Sequence, residues 1–96
     1  MELEIKIYGK DSCNLCKVAK KKVEHFLKTE KLEQEVEFSF VDITRVNGLV
    51  EGTILNVSEV PTTVINYKGE EVYRMSKQIP NTNSIKEEIN KYLFKV

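Results

Sequence analysis

The stretch that decides the fold runs Leu3-Glu4-Ile5-Lys6-Ile7-Tyr8-Gly9-Lys10-Asp11-Ser12-Cys13-Asn14-Leu15-Cys16. Leu3, Ile5 and Ile7 fall on one side and Glu4, Lys6 and Tyr8 on the other, which is the period of a strand. Gly9 to Ser12 reads as a loop. From Cys13 the period changes, and Cys16, Ala19, Val23, Phe26 and Leu27 share one helical face. Lys17, Lys20, Lys21, Lys22, Glu24 and Lys28 lie between them and face solvent. Thr29 to Leu32 closes this helix. A strand therefore feeds a helix whose first turn holds the chain's 2 cysteines.

Outward from there, Val36, Phe38 and Phe40 alternate with Glu35, Glu37 and Ser39, and Val41 extends this second strand. Strand, helix and strand of this length make a βαβ unit, for which a parallel, right-handed crossover is the default. Leu49, Val50, Thr53, Ile54 and Val57 have helical spacing, so a short helix is expected over about Asn47 to Asn56, despite Gly48 and Gly52. Thr62 to Tyr67 is rich in β-branched residues. Lys68-Gly69-Glu70 then makes a tight turn, and Glu71 to Met75 returns as the partner strand of a hairpin. After Pro80, Ser84 and Glu87 form a capping-box pattern. The following helix carries Ile85, Ile89, Tyr92, Leu93 and Val96 on one face. The order is β-α-β-α-β-β-α: one α/β domain over residues 1–96, a four-stranded mixed sheet with helices on both faces burying all three apolar stripes. Glu4 and Lys6 sit awkwardly on a strand that should be covered on both sides. Their charged tips are expected to reach water near its open end.

The chain has 96 residues, room for one core. Lys plus Arg and Asp plus Glu balance at 15 each. Zero net charge gives no electrostatic ground for a nucleic-acid partner. Lys17, Lys20, Lys21 and Lys22 make the helix start basic, but no stacking aromatics accompany them as a single-strand site would require. No apolar run reaches the roughly 18 residues of a membrane span. The opening residues lack the order of a secretory signal. A cytoplasmic monomer without nucleic-acid or membrane partners is expected.

The cysteine pair is a poor structural staple. Disulfides do not persist in a reducing compartment, and a loop this short contributes little closure entropy. Two thiols supply half of a tetrahedral zinc site, and His25 lies outside ligand spacing. A thiol at a helix N-terminus has its thiolate stabilised by unpaired N–H groups and the positive dipole end. In such settings its pKa drops from about 8.5 into a range of roughly 3.5 to 7.5. Cys13 is expected to be the more exposed, attacking thiol. Cys16, one turn inside, is expected to resolve the mixed disulfide. Lys10 favours the Cys13 thiolate and Asp11 opposes it.

With these residues placed, the chain resembles the thioredoxin and glutaredoxin superfamily over nearly its whole length, and within it small glutaredoxin-like or minimal thioredoxin-like proteins. The anchors are Cys13-Asn14-Leu15-Cys16 after the first strand and Val60-Pro61-Thr62 at the start of the third. The resemblance implies that Val60-Pro61 is cis, that Pro61 stands beside the cysteines, and that Val60 offers its backbone to an extended substrate or to glutathione. It places Lys10 where glutaredoxins carry a glutathione-contacting lysine. It also implies thiol–disulfide exchange through Cys13 and Cys16 without metal or organic cofactor, with Asn14, Leu15 and Thr62 lining the substrate side. The chain departs from both branches. Asn14-Leu15 is neither Gly-Pro nor Pro-Tyr. Ser12 replaces the thioredoxin tryptophan, and Ile7 stands where thioredoxins bury an aspartate. Met75-Ser76-Lys77-Gln78-Ile79-Pro80 lacks the Gly-Gly-Asp that holds glutathione in glutaredoxins.

The expected function is reduction of protein or small-molecule disulfides, with a thiol or a reductase as electron donor. Other classes stay open on the residues alone: a glutathione-dependent glutaredoxin, a metal or iron–sulfur module sharing Cys13 and Cys16 across a dimer, and a non-enzymatic adaptor that kept the fold.

Overall fold

A computed structural model describes residues 1–93, with strands β1 (Leu3–Gly9), β2 (Val36–Asp42), β3 (Thr62–Tyr67) and β4 (Glu70–Ser76). Helix α1 (Asn14–Thr29) follows β1, α2 (Val46–Ile54) follows β2, and α3 (Thr82–Leu93) follows β4. The sheet order is β2-β1-β3-β4, with β1 parallel to β2 and antiparallel to β3. This is the expected β-α-β-α-β-β-α arrangement. Gly9, expected in the loop, is instead the last residue of β1 and pairs with Asp42.

Leu3, Ile5 and Ile7 point from β1 into the main core, where they meet Ala19, Val23, Phe26 and Leu27 of α1 and Ile85 and Ile89 of α3. The apolar stripe read for α1 is the face it buries. Fully burying one such aliphatic side chain contributes about 1.5–3 kcal/mol, so this face, not helix propensity, holds α1 in place. Tyr67 stacks on Tyr92 at the far end, with ring centroids 4.3 Å apart. Val96, placed on the same stripe by its spacing, lies outside the described residues.

The two hairpin-turn residues, Lys68 and Gly69, have φ of 53° and 81°, so β4 begins at Glu70, one residue earlier than expected. Helix α3 is capped differently from the sequence reading. Asn81 Oδ1 accepts from the amides of Asn83 (2.9 Å) and Ser84 (3.2 Å). Asn81 is thus the N-cap and Ser84 already lies in the first turn; asparagine and serine are both strong caps, and the earlier one starts the helix.

The largest departure concerns α2. It does not bury an apolar stripe: Leu49, Val50 and Ile54 are 56%, 53% and 72% exposed, while Gly48 and Gly52 are buried. The sheet surface beneath it explains this. Glu4, Lys6 and Tyr8 project from β1 toward α2, and Glu51, the helix's one charged residue, turns inward to meet them. Lys6 Nζ donates to Glu51 Oε2 at 2.9 Å and Tyr8 Oη donates to the same oxygen at 2.6 Å. Asn66 Nδ2 donates to Glu4 Oε1 at 3.1 Å. Glu4 and Lys6 are therefore half-buried: part of each side chain still reaches water, as expected, while their charged ends are partnered in a polar layer. Arg74 closes the C-terminal end of α2 by donating to the Leu55 carbonyl at 2.7 Å, while pairing with Glu71.

Gly48 lets α2 sit this low. A Cβ there would collide with the carbonyl of Asp42, whereas one at Gly52 would find only Ile43 and Val57 at 3.5 and 3.8 Å. Gly48→Ala is expected to destabilise the protein by about 1–3 kcal/mol through overpacking. Gly52→Ala is expected to stabilise it by about 0.5–1 kcal/mol by removing glycine's helix penalty. Urea midpoints of the two variants should move in opposite directions.

Hydrogen bonds from Tyr8 and then Lys6 hold the Glu51 carboxyl below the ordinary carboxylate range. Burial, then the bond to Glu51, pushes the Tyr8 phenol above its own. A depressed carboxyl contributes stability above its unfolded value and loses it as pH falls through the folded one. The stability gap between the wild type and Glu51→Gln should be widest at neutral pH and narrow in acid. Urea titrations at both pH values measure it.

Candidate functional site

The site begins where β1 ends. Cys13 is the N-cap of α1, in extended conformation with φ −96° and ψ 110°. Its Sγ, rather than a hydroxyl or carboxylate, occupies the capping position and accepts from the Cys16 amide at 3.0 Å. Its own amide donates to the Lys10 carbonyl at 3.1 Å, which closes the turn between strand and helix. No acidic residue stands in the first turn of α1 to oppose a thiolate there. The orphan amides and the dipole of a four-turn helix are thus aimed at the Cys13 sulfur.

Cys13 and Cys16 form a disulfide, with Cα atoms 5.2 Å apart. Their surroundings differ as expected. Cys13 is half-buried at the rim, and Cys16 is fully buried under α1. Asn14 and the 48% exposed Leu15 stand beside them on the outer surface. Cys16 descends onto Gly9, where a Cβ would lie 2.8 Å from its Sγ. Only a residue without a side chain admits the sulfur at that place, and any other would displace α1 from the sheet. The sequence reading missed this role. The signal was present in a lone glycine separating an apolar strand from the cysteine pair.

The Val60–Pro61 peptide bond is cis. Thr62 pairs with Tyr8 and Thr63 with Ile7, and this register sets Pro61 across from Gly9, at the sheet end that carries the disulfide. Pro61 is buried, its carbonyl taken by the Lys77 amide at 2.8 Å. The Thr62 hydroxyl is turned away to the Glu59 carbonyl at 2.6 Å. Val60 is half-buried, and its amide and carbonyl have no backbone partner among the described residues.

The charged groups nearby lie at the rim. Lys10 is half-buried and its ammonium forms no ion pair among the described residues. Asp42 closes β2 with its carboxyl bonded by the hydroxyl (2.6 Å) and amide (2.9 Å) of Thr44, which hold it below the usual range. Of the α1 lysines, Lys17, Lys21 and Lys22 are exposed, and Lys20 lies over the Phe40 ring at 5.6 Å. Among the described residues, no group of three or more His, Cys, Asp or Glu side chains is placed to hold a metal ion. No described helix is long and apolar enough to cross a membrane.

No family model matches the sequence, and a search of curated proteins finds no match. Solved structures do match. Thioredoxin from Fasciola hepatica is 26% identical, with a TM-score of 0.73 over 95% of this chain and 81% of that one. Thioredoxin 1 from Thermosipho africanus is 21% identical, with a TM-score of 0.73 over 94% of this chain and 93% of its own. Thioredoxin-2 of the malaria parasite reaches a TM-score of 0.78 at 14% identity, over 94% of this chain and 82% of its own. The chain has the thioredoxin fold. A Cys-x-x-Cys disulfide at the end of β1 in a thioredoxin fold supports a thiol–disulfide oxidoreductase. Near the disulfide the fold here carries Lys10, Cys13, Asn14, Leu15, Cys16, Val60, Pro61 and Thr62 at one end of the sheet.

Proposed function

We propose that the chain reduces disulfides of proteins or small molecules by a dithiol cycle in which Cys13 attacks and Cys16 resolves. The observation that carries this reading is the disulfide itself. It joins a rim sulfur that caps α1 to a buried sulfur one turn inside. In the reduced protein the Cys13 thiolate attacks one sulfur of the substrate disulfide, and the other sulfur leaves as a thiolate that takes a proton from water. Cys16 then loses its proton and attacks Cys13, the bond from Cys13 to substrate breaks, and the second substrate sulfur departs as a thiol. Two electrons have moved from the cysteine pair to the substrate. An external dithiol or reductase returns them. The free backbone groups of Val60 support pairing with an extended substrate segment, as in strand addition.

Glutathione is expected to be a poor reductant for this chain. Lys10 and the α1 lysines attract its carboxylates, but exposed charges are screened by salt and worth under about 1 kcal/mol each. Attraction of that kind does not fix a tripeptide in one pose. The segment after Met75 offers no Gly-Gly-Asp turn, and its Lys77 amide is already engaged with Pro61. A reducing compartment, where the pair can cycle, is part of the same proposal.

The test compares two assays: reduction of a protein disulfide driven by a dithiol or thioredoxin reductase, and reduction of a glutathione mixed disulfide driven by glutathione. Turnover should be robust in the first and weak in the second. Cys13→Ser should abolish the first, and Cys16→Ser should accumulate a mixed disulfide on Cys13, seen by intact mass. Strong glutathione turnover lost in Lys10→Ala would make the chain a glutaredoxin instead.

A further inference from the structure

Thr63 is fully buried, and its hydroxyl is the one buried side-chain nitrogen or oxygen without a hydrogen-bond partner among the described residues. Leaving a hydroxyl unpaired in an apolar interior is costly, and such groups are rare in folded proteins. Its position makes it more than an isolated defect. Thr63 pairs with Ile7 on β1 and Met75 on β4, and its side chain shares the sheet face of Ile5, Ile7, Ile65 and Met75. Cys16 comes down on that same face two residues along β1, over Gly9. Around Cys16 the sheet presents Ile7 and Gly9 of β1, Phe40 of β2, Pro61 just before β3 and Thr63 within it. Asp42, which pairs with Gly9, has its carboxyl engaged by Thr44, so Thr63 brings the one polar side chain there that lacks a partner among the described residues.

A buried thiol is held protonated by desolvation, yet Cys16 must become a thiolate to resolve the mixed disulfide. The charged groups around it cannot meet that need from where they stand. Lys10 and Asp11 lie in the turn outside, Asp42 is bound to Thr44 at the end of β2, and Lys20 lies over Phe40. Tyr8 points to the opposite face toward Glu51. The buried residues that α3 and β4 bring to the core on this side of the sheet, Ile85, Ile89 and Met75, are all apolar.

Resting on the dithiol cycle above, we propose that the Thr63 hydroxyl is the hydrogen-bond donor for the Cys16 sulfur when the disulfide is open. With the disulfide closed the hydroxyl has no partner. Opening it frees the Cys16 side chain to rotate and gives the sulfur a negative charge to share. Thr63 then lowers the cost of the Cys16 thiolate and holds the sulfur for attack on Cys13. The proton that Cys16 gives up goes to water, and Thr63 keeps its own. It is a positioning residue, and it biases the couple toward the dithiol, because the hydroxyl is paired in that form alone.

Thr63→Val keeps the shape and removes the hydroxyl; Thr63→Ser keeps the hydroxyl and removes a methyl. Equilibration of each protein against dithiothreitol buffers gives the reduction potential. The titration of the Cys16 13Cβ shift, in the reduced protein, gives its pKa. Thr63→Val should shift the equilibrium toward the disulfide about tenfold, a potential about 30 mV more negative. It should also raise the Cys16 midpoint and leave that of Cys13 in place. Thr63→Ser should stay near the wild type in both. Equal shifts in the two variants, or none in Thr63→Val, would overturn the assignment. The wild-type assay separates this from the broader reading: a protein that equilibrates with dithiothreitol but turns over no substrate fails the proposed function, while the Thr63 comparison still decides this point.

Discussion

Cys16 lies against the backbone of Gly9 at a separation that leaves no room for a Cβ, and this contact sets the height of α1 above the sheet. With the helix at that height, Ala19, Val23, Phe26 and Leu27 enter the core in turn, one helical repeat after another. Its N-terminus stands level with the end of β1, so the Cys13 sulfur becomes the cap of α1 instead of an ordinary surface thiol. The register of β3 against β1 brings Pro61 and Thr63 to the same place. The reactive centre is thus a product of packing: the strand must end in a glycine for the helix to start where it does.

The two faces of the sheet are built on different principles. Under α1 and α3 the layer is apolar and close-packed, and a single stray hydroxyl is conspicuous there. Under α2 the layer is held by Glu51, Lys6, Tyr8, Arg74 and Asn66, and the helix turns its apolar residues outward. The apolar face covers the buried cysteine. The polar face depends on charge pairs, which are partly exposed and screened.

Most of the fold was legible because β1, α1 and β2 have clean periods, which report the side of an element that faces the core, and because β3 is a run of β-branched residues. The cysteine pair and Val60-Pro61-Thr62 were legible for another reason, since each is a local pattern at a recognisable place in the element order. What stayed hidden depended on contacts between distant elements. The apolar residues of α2 have helical spacing, but the surface waiting for that helix is charged, and a period cannot show what it will meet. Glu4 and Lys6 looked misplaced because Glu51, more than forty residues away, was not known to face them. Asn81 was passed over because Ser84 and Glu87 offered a complete local pattern three residues later. Thr63 carried no signal at all within a run of β-branched residues; only the loss of every possible partner sets it apart.

The account rests on the disulfide being a working couple of the native protein, held at the rim by α1 and opened without unfolding. The most direct measurement is an anaerobic redox titration of the folded protein, followed by mass after thiol alkylation, with circular dichroism recorded at each point. The account predicts one reversible two-electron transition, about 30 mV per tenfold change in the oxidised-to-reduced ratio, with the secondary structure intact throughout. A disulfide that opens only as the helical signal is lost would contradict it.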